Sequence, residues 1–125
     1  MMNWIDSSVD DFCCGMGLEA VDFASSGRVQ LTFQLSGTLH IEKHQDTLFL
    51  MLSREISWHQ PSEFIKKALE VCNFENGWPF IVRAGLLGTE TLVFSAQIRG
   101  DEVTIPSIEQ AFALLIRIHN EVANR

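Results

Sequence analysis

Arg28-Val29-Gln30-Leu31-Thr32-Phe33-Gln34-Leu35, Ser36-Gly37, Leu39-His40-Ile41-Glu42 and, past His44-Gln45-Asp46, Thr47-Leu48-Phe49-Leu50-Met51-Leu52-Ser53-Arg54 form the stretch that decides the fold. Val29, Leu31, Phe33 and Leu35 alternate with Gln30, Thr32 and Gln34, the period of a half-buried strand. Ser36-Gly37 breaks that strand, and Leu39 and Ile41 resume the alternation with His40 and Glu42 opposite. The third run is apolar at odd and even positions alike. A strand of that kind is covered on both faces, by its own chain or by a partner. The expectation is a three-stranded meander.

Upstream, residues 3–16 read as a helix, with Ile5, Val9, Phe12, Cys13 and Met16 recurring at spacings of three and four. Asp6, Asp10 and Asp11 fall on the wet side, and Gly15 and Gly17 are plausible stops. Downstream, Pro61 suits the first turn of a middle helix running to Cys72. Phe64, Ala68 and Cys72 share one stripe of it, with Ile65, Leu69 and Val71 beside them. Asn73 to Pro79 is a loop by its turn residues. Two strands follow, Phe80 to Leu86 and Thr91 to Ile98, joined by Leu87-Gly88-Thr89-Glu90. A turn at Gly100-Asp101 leads to a brief strand, Val103 to Ile105. Pro106-Ser107 opens the last helix, Ser107 and Gln110 having capping-box spacing. Its stripe is Ile108, Ala111, Phe112, Leu115, Ile118, His119 and Val122. The order α-β-β-β-α-β-β-β-α predicts an α+β fold, three helices against a mostly antiparallel twisted sheet, in one domain spanning residues 1–125.

With 125 residues, 46% of them hydrophobic and 20% charged, the chain can bury a core and is not disordered by composition. Nine Lys and Arg against sixteen Asp and Glu give a net charge of −7. That balance repels phosphate backbones and anionic lipid, so nucleic acid is not an expected partner. No signal peptide is visible, and the longest apolar run, Leu48 to Leu52, is far too short to span a bilayer. Three cysteines, two of them adjacent at 13 and 14, do not make a secreted disulfide framework. Reduced thiols and a cytoplasmic location are the simpler reading.

The sequence carries no recognisable catalytic or metal-binding signature. His40 and His44 are four apart but fall on a strand and turn, not on one helix face, and His119 has no second histidine one turn on. Cys13-Cys14 is not a CxxC pair, and no basic neighbour in sequence would activate a thiolate. No GxGxxG, P-loop, GxSxG or HExxH occurs. Gly85 and Gly88 are expected to ease a bend, a bulge or a tight hairpin. Trp58 and Trp78 flank the middle helix, where they either plug the sheet–helix junction or anchor a subunit interface. The surplus of apolar surface without catalytic residues points to a binding protein that is no enzyme and holds no cofactor.

The chain resembles the export chaperones of bacterial type III secretion, and within them the SycN type. The resemblance rests on Asn3-Trp4-Ile5, on Ser36 to His44, on Thr47 to Arg54 continuing to Trp58-His59, and on Arg83-Ala84-Gly85-Leu86-Leu87-Gly88. It extends to Gln110-Ala111-Phe112 with Leu115, Arg117 and Glu121-Val122. It covers nearly the whole chain apart from about Gly17 to Gly27 and the loop Cys72 to Pro79. It implies a cytoplasmic chaperone, free or peripheral at the inner face of the inner membrane, which does not hydrolyse ATP. Such a chaperone pairs with a second small chaperone of the YscB type. The heterodimer keeps the N-terminal segment of a YopN-like secreted gatekeeper export-competent. The cargo lies extended, with side chains in surface grooves and some strand pairing.

By the same resemblance, the middle helix and a nearby later strand make the subunit interface. The candidates there are Phe64, Ile65, Ala68, Leu69 and Cys72, with Trp58 and Trp78 at the margin. The cargo candidates are Ile5, Val9, Phe12 and Met16 on the first helix and Phe49 and Met51 on the sheet. Three alternatives remain: a homodimeric chaperone for a secreted effector; a small-molecule-binding or enzymatic α+β domain, which would need a concave pocket with convergent polar groups; and a structural adaptor without cargo.

Overall fold

The computed structural model describes residues 4–17, 23–55, 66–70, 80–88 and 91–123. Helix α1 (Trp4–Gly15) and a short α2 (Phe23–Ser26) precede three strands, β1 (Arg28–Phe33), β2 (Gly37–His44) and β3 (Thr47–Glu55). Residues 66–70 are helical and are called α3. Strands β4 (Ile81–Leu87) and β5 (Thr91–Arg99), a 3-10 turn (Gly100–Glu102) and helix α4 (Ile105–Ala123) complete the order. The fold is α+β, as the alternation predicts.

The five strands form one antiparallel sheet in the order β1-β2-β3-β5-β4. Because side chains alternate between faces, this register sorts the sequence. Leu39, Ile41, Leu48, Leu50, Leu52, Leu92, Phe94, Ala96 and Ile98 all point to one face and are buried. Helices α1 and α4 cover that face, α1 through Ile5, Val9, Phe12 and Cys13 and α4 through Ile108, Ala111, Leu115, Ile118 and Val122. Phe12 and Phe33 both pack on Phe112, the first edge-on at 6.1 Å between ring centres. Burying one such side chain contributes about 1.5–3 kcal/mol.

Four expectations are corrected. Asp6 is not on the wet side of α1 but 3% exposed, its carboxylate 2.7 Å from the Lys43 ammonium on β2. Lys43 sits at the end of a core-facing row, so the pair ties α1 to the sheet where the apolar contacts stop. Leu35 does not extend β1: the strand ends at Phe33, and Leu35 lies in the following turn, 92% exposed. Gly37 closes that turn with φ +107°, and a Cβ there would collide with the Ser53 carbonyl. No strand forms at Val103 to Ile105. Thr104 instead caps α4, its hydroxyl accepting from the Ser107 amide at 3.1 Å while Ser107 Oγ accepts from the Thr104 amide at 2.8 Å. The reciprocal pair is a capping box one turn earlier than Ser107 and Gln110 suggest. Helix α2, with Phe23 fully buried, is too short for periodicity to announce.

Candidate binding surfaces

The face of the sheet turned away from α1 and α4 is built by the other half of each alternation. Across β2, β3, β5 and β4 the register aligns Glu42, Phe49, Gln97 and Ile81 in one row. The next row is His40, Met51, Ser95 and Arg83, and the next Thr38, Ser53, Val93 and Gly85. The β2, β3 and β5 members are half-buried, whereas Ile81, Arg83 and Gly85 are exposed. A concavity of about 450 Å³ opens here, lined by Met51, Ser53, Val93, Arg83, Gly85 and Leu87 among others. Its lining mixes apolar Met51, Val93, Leu86 and Leu87 with His40, Glu42, Arg83 and Ser95.

The second surface is the edge strand β4. Among the described residues its backbone pairs with β5 alone. Ile81 and Leu87 are 59% and 62% exposed on the open face, and Leu86 is 39% exposed on the helix face. The strand carries no proline, lysine or bulge that would block pairing. The opposite edge, β1, shows Arg28, Gln30 and Thr32 on the open face and is polar.

The candidates from sequence divide accordingly. Ile5, Val9 and Phe12 are 2%, 0% and 3% exposed, so α1 uses them to hold the core, out of reach of a cargo chain. Met16, just past α1, is 40% exposed, and Phe49 and Met51 sit half-buried in adjoining rows of the open face. On α3, Ala68 is buried and Leu69 is 63% exposed. Trp58, Phe64, Ile65, Cys72 and Trp78 lie outside the described residues, as do His59 and the loop from Asn73 to Pro79. Sequence reading passed over Ile81, Leu86 and Leu87, whose exposure follows from β4 lying at the edge. Strand order across a sheet leaves no mark on periodicity.

Two titratable groups, Cys13 and His119, are buried in the core. Burial pushes the Cys13 thiol up to about 11, with Asp10 and Cys14 adding to the effect, so Cys13 stays protonated and inert. His119 lies in the core with Nε2 2.7 Å from the Leu52 carbonyl. Among the described residues no cluster of His, Cys, Asp and Glu could hold a metal ion. Nor is any described helix long and apolar enough to cross a membrane.

Against known proteins, residues 4–123 match the family model for the type III secretory system chaperone SycN. The chain is similar to the chaperone protein SycN of Yersinia enterocolitica, with 35% identity over 121 residues, 97% of this chain and 98% of that protein. It is 34% identical to the SycN of Yersinia pseudotuberculosis over the same shares. Its fold is similar to a chain of the HopA1–SchA chaperone–effector complex, at TM-score 0.73 and 15% identity, covering 96% of this chain and 94% of that one. It also resembles a chain of the Yersinia pestis SycH complex with a fragment of YscM2, at TM-score 0.70 and 15% identity, covering 97% and 99%.

Proposed function

The chain belongs to the SycN family of type III secretion chaperones, and from that premise we propose that it acts as one half of a heterodimer. In this reading the other half is a small chaperone of the YscB type, and the pair holds the N-terminal segment of a YopN-like secreted gatekeeper. The observation that carries the reading is the edge of β4, which displays Ile81, Leu86 and Leu87 beside an unblocked backbone. A lone domain with such an edge invites indiscriminate strand pairing. A standing partner removes the hazard.

The partner covers β4 and Leu69 of α3, while Phe49, Met51 and Met16 remain for an extended cargo. Binding alone does this work: in this reading, which rests on the family, the protein is a non-enzymatic chaperone of the cytoplasm. Strand hydrogen bonds and shallow pockets hold a segment locally unfolded and ready to thread.

Co-expression with a YscB-type chaperone followed by light scattering tests the reading. A 1:1 complex that captures a synthetic N-terminal gatekeeper peptide is expected. A monomer indifferent to both would overturn it, and a homodimer that captures an effector segment would favour the homodimeric alternative.

A further inference from the structure

Trp4 opens helix α1 with its indole 57% exposed, although its neighbour Ile5, at 2%, already closes the core there. A single exposed apolar side chain is ordinary. This one is not loose. Its Nε1 donates to the Gly100 carbonyl at 3.1 Å, and the Gly100 amide in turn donates to the Asp46 carbonyl at 2.6 Å. Gly100 is buried, and a Cβ on it would collide with that same Asp46 carbonyl. The start of α1, the β2–β3 turn and the 3-10 turn after β5 are therefore locked at one backbone junction, with the indole tethered by its edge.

The tethered ring forms one wall of a groove of about 450 Å³, with Asp46, Arg99 and Asp101 on the others. Asp46 is exposed, and its carboxylate has no hydrogen bond or ion pair among the described residues. Arg99 is answered twice over, by Asp101 at 3.0 Å and Glu102 at 3.9 Å. Around the groove the acids outnumber the base, so negative charge is left over beside an aromatic face. A guanidinium fits that combination, stacking on the ring while its N–H groups reach carboxylates in its own plane. Phosphate and anionic lipid are repelled there.

We propose that this junction takes an arginine side chain from a basic segment of another protein. The guanidinium stacks on the Trp4 indole and donates to Asp46 and to Oδ1 of Asp101, whose Oδ2 already holds Arg99. The groove sits at the end of the sheet, where Thr47 pairs with Arg99. It shares no lining residue with the open-face concavity and includes none from β4. It is thus a third surface, separate from those assigned to the partner chaperone and to the cargo. Because the ring is fixed before anything binds, docking there orders only the incoming side chain.

The probe is the peptide acetyl-Gly-Arg-Gly-Arg-Gly-amide, titrated into the nitrogen-15-labelled full chain. Its citrulline counterpart, the same shape without the charge, is the comparison. The Trp4 indole resonance is assigned by its loss in Trp4→Phe. The arginine peptide should shift that resonance together with the Asp46 and Asp101 amides, and the citrulline peptide should bind about fivefold more weakly. Trp4→Leu and Asp46→Asn should each weaken arginine binding by about fivefold. Asp46→Asn stands even where Trp4→Leu loosens α1, because the junction uses the Asp46 carbonyl and not its side chain. Glu109→Gln, which removes an exposed charge on α4 outside the groove, should bind like the parent. An unmoved Trp4 indole or equal binding of the citrulline peptide would overturn the inference. Equal losses in Asp46→Asn and Glu109→Gln would also overturn it, reducing the effect to overall charge. So would concentration-dependent dimerisation that Trp4→Leu abolishes, since the occupant would then be a second copy. None of these results touches the heterodimer reading.

Discussion

Acidification from pH 7 to 5 should destabilise the protein through His119. The ring is 3% exposed, edge-on to Phe94 at 4.7 Å, with Nε2 2.7 Å from the Leu52 carbonyl oxygen. A carbonyl only accepts, so Nε2 carries the proton and the neutral imidazole is already satisfied. A second proton would bring a charge into the core. Burial therefore lowers the pKa from 6.5 to about 4; Arg54 acts in the same direction, and the Leu52 hydrogen bond opposes both. Above pH 6.5 neither folded nor unfolded chain binds the proton, and the stability is whole. Below it the unfolded chain binds a proton that the folded chain refuses until about pH 4, so stability falls across that window. At 1.36 kcal/mol per unit, the loss is about 2 kcal/mol by pH 5 and about 3 kcal/mol when complete. Urea midpoints of the parent and of His119→Gln, whose amide can still donate to Leu52, measure it. The variant should be weaker at pH 7 and should lose much less on going to pH 5. Equal losses in the two proteins, or an NMR titration of folded His119 near 6.5, would refute the reasoning.

Glycine substitutions should differ in sign with position. Gly37→Ala forces a Cβ into the Ser53 carbonyl at φ +107°, and its melting temperature should drop. Gly85→Ala meets nothing within 4 Å and should gain about 0.4–1 kcal/mol in a urea melt. Lys43→Met removes the ammonium from a carboxylate whose side chain is 4% exposed. It should cost about 2–3 kcal/mol, below the loss for a fully buried pair because the Lys43 side chain is 22% exposed. Pairing it with Asp6→Leu should recover part of that loss. Alkylation of the native protein at neutral pH, read by mass spectrometry, should label exposed Cys14 and spare Cys13, whose thiol is buried and held protonated.

The architecture was legible because burial obeys period: Leu39 and Ile41 against His40 and Glu42 is a face assignment written in the sequence. The third strand's apolar content on both faces was legible too, and the structure gives it a cause, one face in the core and one half-open. What could not be read was distance along the chain turned into distance in space. Asp6 looked solvated because its partner, Lys43, lies 37 positions away. Ile5, Val9 and Phe12 suited a cargo groove as well as a core, since amphipathic spacing describes a stripe without saying what it meets. The capping box at Thr104 was masked by Pro106, which marks the first turn of a helix without fixing its first residue.

The contrast between the two sheet edges carries the argument furthest. Strand β1 ends the sheet with Arg28, Gln30 and Thr32 on its open face, a polar margin that an incoming strand gains little by covering. Strand β4 ends it with Ile81 and Leu87 on the same face, a glycine gap between Arg83 and Leu87, and nothing along its length that prevents pairing. Arg83 is the one charge along β4, and a protein that only had to stay folded would have gained from a proline or further charges at that edge. Leaving Ile81, Leu86 and Leu87 exposed makes sense if that edge is covered whenever the protein works. The chain expressed without its partner should then be more aggregation-prone than the pair, and a single lysine at Leu87 should restore solubility to the lone chain while costing it the partner.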